Sequence, residues 1–412
     1  MCMKKCTYLL LLLLCLPAAC QREPEESIPR NLRESIVRQH TSSREEGAAN
    51  PETPVISPPD VYQTAIFFPD SVDWRAGDAT GARILLMKNG EILGSVAVGD
   101  NPNPESHRVL DGQLWWDSTD GHQTVLSCNS QERFRYAGEE RIQGLLCVDG
   151  AVHTLGQRPG GGFCYRINGE EVYSSADGMV LGHASDPVWP GGALQLDSIG
   201  VCYTVQKSDG SYEVLCGDRP VKTARPAQGA QVLDVRLLNG AVYALENRSD
   251  DLYLLKDADS FPLKVKISST RASGRGSSGV HPCHLVVIDG EMMVNSYSAD
   301  RRPFVYWLRD AEGVRYQCST IWGLQGFFAG EGEWAAVELD ATGCVSRLIR
   351  NDGDISFPAQ TFRLSLDRCA AFRKGCFAVA LTADTGNDHW IQMDDRSCPI
   401  QFNGYFTGTY IE

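Results

Sequence analysis

Positive charge is scarce in this chain: 38 Lys and Arg stand against 52 Asp and Glu, a formal charge of −14. Nucleic acid and anionic lipid surfaces are bound through a basic face, so neither is expected as a partner. Long apolar runs are missing as well. The longest, Tyr8 to Leu16, falls short of the roughly 20 residues that a spanning helix needs. There is no Gly-x-Ser-x-Gly elbow, no phosphate-cradling Gly-Lys-Ser/Thr and no Gly-x-Gly-x-x-Gly opening a helix. The common nucleophile and nucleotide signatures are therefore absent, and no cofactor is expected.

What is present begins with "MCMKKCTYLLLLLLCLPAAC". Lys4 and Lys5, an apolar core and small residues before Cys20 read as a secretory signal peptide over residues 1–19. Its removal takes away two Lys and no acid, so the formal charge falls to −16. Residues 20–60 are rich in Glu, Arg, Ser and Pro and end in "NPETPVISPPD". Such a segment cannot bury enough apolar area to offset its ordering entropy and is expected to be a flexible tether.

From Val61 onward one theme repeats. An apolar strand, a tight turn, a second strand, a polar loop, a third strand, another tight turn and a fourth strand recur at intervals of roughly 38 to 50 residues, the length of one four-stranded blade. First turns include Asp111-Gly112, Asp149-Gly150, Asn239-Gly240 and Asp289-Gly290. Asn-Gly and Asp-Gly suit type I′ turns because both central residues need positive φ. Second hairpins run from "LLMKNGEIL" through "FCYRINGEEVY" to "WIQMDDRSCPIQF", eight in all. The earliest unit is expected to have its first hairpin in "YQTAIFFPDSVDW", turning at Pro69-Asp70-Ser71.

These repeats resemble a β-propeller over 61–412, without the signature residues of the WD or kelch classes. The expected fold is all-β with eight blades; seven blades, or a β-sandwich, are the alternatives. Ala18-Ala19-Cys20 resembles the lipobox of bacterial lipoproteins, with Pro17 where that pattern has Leu, and "QREPEES" resembles the export signal of surface lipoproteins of Bacteroidetes-type bacteria. The resemblance implies lipidation at Cys20, membrane attachment through that lipid and an outer-membrane location, periplasmic or surface-exposed. Plain signal-peptidase cleavage and a simple charged tether are the competing readings.

In a propeller the tight turns share one face of the disc and the longer connections share the other. The long connections here are "GHASDPVWPGG" and "SSTRASGRGSSGVHPCH", so the loop face is expected to bind. Trp189, Trp322 and the pair Arg301 and Arg302 are the candidate contacts, because binding energy concentrates on Trp and Arg. Loop carboxylates such as Asp186, Asp300, Asp340, Asp384 and Asp388 could serve a hydrolase if two converged. "DSTDGHQTV" partly resembles the Asp-box of sialidase-like propellers, a structural turn, through Ser118, Asp120 and Thr124; His122 and Val125 depart from it. "HPCH" gathers His281, Cys283 and His284 without the fourth ligand that zinc prefers, and no metal is expected.

Eleven cysteines follow Cys20, and an oxidising envelope compartment permits disulfides. Cys202 with Cys216 and Cys369 with Cys376 lie symmetrically about hairpin turns, where opposed strand residues can be bridged. Cys128, Cys147, Cys164, Cys318 and Cys344 read as free thiols packed inside strands. The sequence thus points to an envelope-anchored propeller that binds a glycan, peptide or partner protein without catalysis. A polysaccharide hydrolase or lyase and a structural subunit of an envelope complex are the alternatives.

Overall fold

The computed structural model describes residues 58–98, 107–182, 192–249, 251–266, 283–298, 304–321, 323–330, 333–351, 353–356, 362–365, 367–373, 375–385 and 387–412. Nearly all of these lie in β-strands or tight turns; the exceptions include two single-turn 3-10 segments, Trp74–Ala76 and Asp367–Cys369. The strands form eight antiparallel sheets of four or five strands. The protein is an eight-bladed β-propeller. In chain order the blades occupy 108–137, 141–175, 179–224, 231–266, 284–320, 324–356 and 362–401, and the eighth joins 404–411 to 61–97.

Turn chemistry explains the blades. Asn89, Asp111, Asp149, Asn168, Asn239 and Asp289 have φ between 50° and 52°, and the glycine after each is also at positive φ. This is the type I′ geometry whose twist matches that of the flanking strands. In the hairpins at Asn89, Asn129, Asn168, Asp257 and Asp394, the side chain also accepts a backbone N–H of the neighbouring strand, at 2.9 to 3.1 Å. The side chain thereby ties each outer turn to the inner part of its blade.

Ring closure shows in where the apolar residues meet. Leu114 and Val109 of the first blade pack on Tyr62, Ile84 and Leu86 of the eighth, while Trp115, Leu126 and Tyr136 on the opposite side meet Ile142 and Leu145 of the second. The same alternation repeats around the circle. It ends where Ala378, Ala380, Ile391 and Met393 of the seventh blade pack on Val61, Ala65, Met87 and Phe406 of the eighth. Each blade therefore buries both faces, one against each neighbour, and eight inter-blade clusters close the ring.

One expected hairpin does not form. Val61–Phe67 pairs with Arg83–Lys88 on one side and with the C-terminal strand Gly404–Ile411 on the other, Val61 opposite Ile411. Pro69-Asp70-Ser71 does make a turn, with Val72 N donating to Pro69 O at 2.9 Å. The chain then enters the 3-10 segment, where Trp74 stacks on Phe68 with ring centroids 5.9 Å apart. The physical reason is closure: the N-terminal strands lack an innermost strand of their own, and the C-terminal strand supplies it.

Candidate functional site

An open groove of about 530 Å3 lies between the eighth and first blades. Its eighth-blade wall is Arg83 from strand Arg83–Lys88 and Ser95, Val96 and Ala97 from Glu91–Ala97. The opposite wall includes Trp116, Ser118, Ser127 and Arg135 of the first blade. Arg83 is held in place: Nε donates to Ser95 Oγ at 2.9 Å and Nη2 to Ser95 O at 3.2 Å. A guanidinium has five N–H groups, so three remain without a protein acceptor among the described residues, on a side chain that lines the groove. Arg135 forms a two-point ion pair with Glu132, at 2.9 and 2.5 Å. Trp116 donates its indole N–H to Asn129 O at 3.0 Å, which fixes the ring. The walls are thus preset donors, hydroxyls and one aromatic, an arrangement suited to a polar or acidic ligand.

A second polar locus lines the inner strands. Arg368 donates to Thr407 O at 2.5 Å and to His107 O at 2.9 Å, joining the seventh, eighth and first blades. Arg108 reaches Gln143 O at 3.1 Å, and that same oxygen accepts from Ala193 N of the third blade at 3.0 Å. Asp234 accepts from Arg236 Nε and from Leu285 N, both at 2.9 Å, and so ties the fourth blade to the fifth. His107, Arg108, Asp234, Arg236 and Arg368 are all buried. These bonds satisfy inner-strand groups that water cannot reach and act as a polar girdle.

Asp117 lies beside this girdle on the strand Gln113–Thr119 and is partly buried. Burial raises its carboxyl to about 7, against the opposing pull of Arg108 and Arg368. Burial, reinforced by Arg368, pushes His107 well below the ordinary histidine range, so its imidazole is neutral. The strand thus separates two environments, with Trp116 and Ser118 on the groove and Asp117 toward the second blade.

The candidates drawn from sequence fare unevenly. Cys20, Trp189, Arg301, Arg302 and Trp322 lie outside the described residues, as do Asp186, His281 and Asp300. Asp340 caps its own turn through Thr342 and Cys344, Asp384 pairs with Arg363 at 2.8 Å, and Asp388 accepts from Gln401 at 2.9 Å. Asp120 accepts the N–H groups of His122 and Gln123, each at 2.9 Å, and is a turn-forming residue. Cys283 is buried in a leucine-rich cluster, and among the described residues no three metal-ligating side chains converge.

Cys202 stands directly opposite Cys216. Cys369 and Cys376 are not opposed. Cys376 faces Arg373, and Ala370, the residue after Cys369, faces Val379. Because Arg373 already pairs with Cys376, the hairpin is centred beyond the point of symmetry between the two cysteines, and Cys369, at the end of the 3-10 segment before the strand Ala370–Arg373, lies outside the position opposite Cys376. The groove and Asp117 were missed from sequence. A groove between blades far apart in the chain leaves no local pattern, but an acid two positions after Trp115 in "QLWWDST", on the same strand face, was a readable signal.

No family model matches the chain, and no curated protein matches it. Among solved structures it is similar to BamB from Moraxella catarrhalis, at 16% identity over 79% of this chain and 94% of that one, with a TM-score of 0.43. It is similar to the dihydro-heme d1 dehydrogenase NirN in complex with DHE at 11% identity, over 89% and 77% of the two chains, TM-score 0.49. It is similar to AztD from Citrobacter koseri at 9% identity, over 86% and 98%, TM-score 0.46. Likeness at this level carries no ligand or activity across, and the fold assignment rests on the eight sheets and their closed packing.

Proposed function

We propose that the protein is a membrane-anchored lipoprotein of the bacterial cell envelope whose propeller binds a glycan, peptide or partner protein without catalysis. The signal-peptide pattern, the lipobox-like Ala18-Ala19-Cys20 and the tether before Val61 support an acylated Cys20 and an outer-membrane location, periplasmic or surface-exposed. The observation that carries the binding reading is the groove between the eighth and first blades. Its walls are rigid strands, its Arg83 keeps donors to spare, and its polar groups are already oriented. Such preorganisation lowers the ordering cost that ligand binding would otherwise incur.

The test uses residues 56–412, which contain the whole closed ring. That unit is screened against immobilised glycans and envelope extracts, and any ligand is then measured with Arg83→Ala and Trp116→Ala. Loss of at least ten-fold in affinity for either variant is expected. Asp117, a carboxyl with a near-neutral pKa, favours the polysaccharide hydrolase as a second reading. Turnover of a bound glycan that Asp117→Asn abolishes would replace the binding reading with that one.

A further inference from the structure

Eight blades end outward in eight edge strands, and among the described residues seven of them carry a feature that opposes strand addition. An edge strand leaves backbone N–H and C=O groups unpaired, and stable proteins blunt such edges with Pro, charge or brevity. Pro220, Pro262 and Pro399 interrupt the outer strands of the third, fourth and seventh blades. Arg133, Glu171 and Arg315 place charge within those of the first, second and fifth. Among the described residues, the outer strand of the sixth blade is the two residues Ile355–Ser356. The eighth is different. Its outer strand Glu91–Ala97 reads EILGSVA, with no Pro and its one charge at the first position; its ladder has a one-residue register shift like those of the first and fifth blades, but the extra residue is Leu93 where theirs are Arg133 and Arg315. Ile92 and Leu93 are 56% and 55% exposed, and among the described residues the strand pairs only with Arg83–Lys88.

The ladder shows which groups of this edge are open. Val98 N donates to Ala82 O at 3.3 Å, so alternation along the antiparallel pair makes the Ala97–Arg83 and Ser95–Leu85 positions non-hydrogen-bonded ones. The backbone groups of Ser95 and Ala97 consequently point away from the sheet. Arg83 already meets Ser95 O, while the Ser95 and Ala97 N–H groups and the Ala97 carbonyl face outward.

We infer that Glu91–Ala97 is a docking edge that takes an extended segment of a partner protein as an added strand. Main-chain hydrogen bonds would give affinity, and side-chain contacts along the edge specificity. A second copy of this chain fits less well. Two such edges, about 24 Å long and about 10 Å thick, would bury roughly 500 Å2 between them, against the ~1,200 Å2 of a stable interface. A partner segment has more to gain, because the edge runs at Ser95–Ala97 into the groove. There Arg83 and Arg135 against Glu132 leave one net positive charge in an otherwise acidic chain. The segment is therefore apolar along Ile92 and Leu93 and acidic where it meets the groove. This inference rests on the reading of the groove as a binding site.

A display library of ten-residue peptides panned against residues 56–412 tests it. An enriched peptide is synthesised and its Kd measured for the wild type, Ala97→Pro, Leu93→Lys, and Val172→Lys on the guarded edge of the second blade. Ala97→Pro removes one outward N–H, and Leu93→Lys supplies the missing guard without touching the backbone. Ten-fold or greater loss for both, no change for Val172→Lys, and slowed amide exchange at Ser95 and Ala97 on binding are expected. No enrichment, equal Kd across the three variants, or self-association that Leu93→Lys abolishes would each overturn the inference. If Arg83→Ala weakens a ligand that Ala97→Pro leaves unaffected, the groove reading stands and the added strand does not.

Discussion

Oxidation of Cys202 and Cys216 is the sharpest stability prediction. The two residues face each other across strands Gly200–Gln206 and Tyr212–Cys216. Gly217 N donates to Val201 O at 3.0 Å, which makes the adjacent Cys202–Cys216 position a non-hydrogen-bonded pair. In such pairs the Cα atoms lie about 4.5 Å apart, inside the range that a disulfide spans. Both thiols are otherwise loosely engaged, Cys216 Sγ on Ile199 O at 3.0 Å and Cys202 Sγ on Gly200 O at 3.5 Å. Burial, and after it the neighbouring Cys216, pushes the Cys202 thiol above its ordinary range; closing the bridge takes an oxidant, which accepts the two electrons and two protons the thiols give up. The bridge would close a loop of about 15 residues, for which the chain-entropy relation gives about 3 kcal/mol. The assay is urea unfolding of protein exported to an oxidising compartment, with and without reductant, beside a Cys202→Ser/Cys216→Ser variant. The wild type should lose about 3 kcal/mol on reduction and the variant nothing. Peptide mapping that finds both residues alkylated in exported protein, or equal stability in the two redox states, would refute the reasoning. The same mapping should find no bridge between Cys369 and Cys376.

Two further perturbations test the interior. Glu140 accepts both arms of Arg166, at 2.6 and 2.8 Å, and Arg158 Nε at 3.1 Å, with Glu140 and Arg166 both buried. Glu140→Gln strands the Arg166 charge and should cost about 3 to 5 kcal/mol in urea unfolding; a loss below about 1 kcal/mol would mean that water reaches the site. For Asp117 the folded carboxyl titrates at about 7, above the unfolded value of 3.8. The folded state therefore keeps a proton that the unfolded chain has already released, and the resulting penalty grows as pH rises from about 4 to about 7. Asp117→Asn should match the wild type near pH 4 and exceed it at pH 8 by up to about 4 kcal/mol. An equal difference at both pH values would show that the carboxyl is not desolvated.

The blades were legible because their determinants are local. Asn168-Gly169 or Asp149-Gly150 turns by its own φ preference, and the alternation in "FCYRINGEEVY" places Phe163 and Tyr165 on one strand face whatever the rest of the chain does. The partner of Val61–Phe67 was not legible, since Gly404–Ile411 is more than 300 residues away and nothing in "YQTAIFF" marks a strand whose inner neighbour comes from the other terminus. Cys202–Cys216 could be placed by counting outward from Asp209, whereas Cys369–Cys376 could not. There a shift of the turn by a residue or two moves every pairing in the hairpin.

By itself, then, the sequence determined an all-β chain of repeated four-stranded units and the Asn-Gly and Asp-Gly turns within them, with eight units favoured over seven, because these depend on short-range backbone preference and side-chain alternation. Tertiary structure alone decided how the ring closes, which edge among the described residues is left unpaired and that Arg83 and Trp116 line one groove. Those outcomes arise where surfaces from distant parts of the chain are pressed together, and neither surface carries the other's imprint in its own residues.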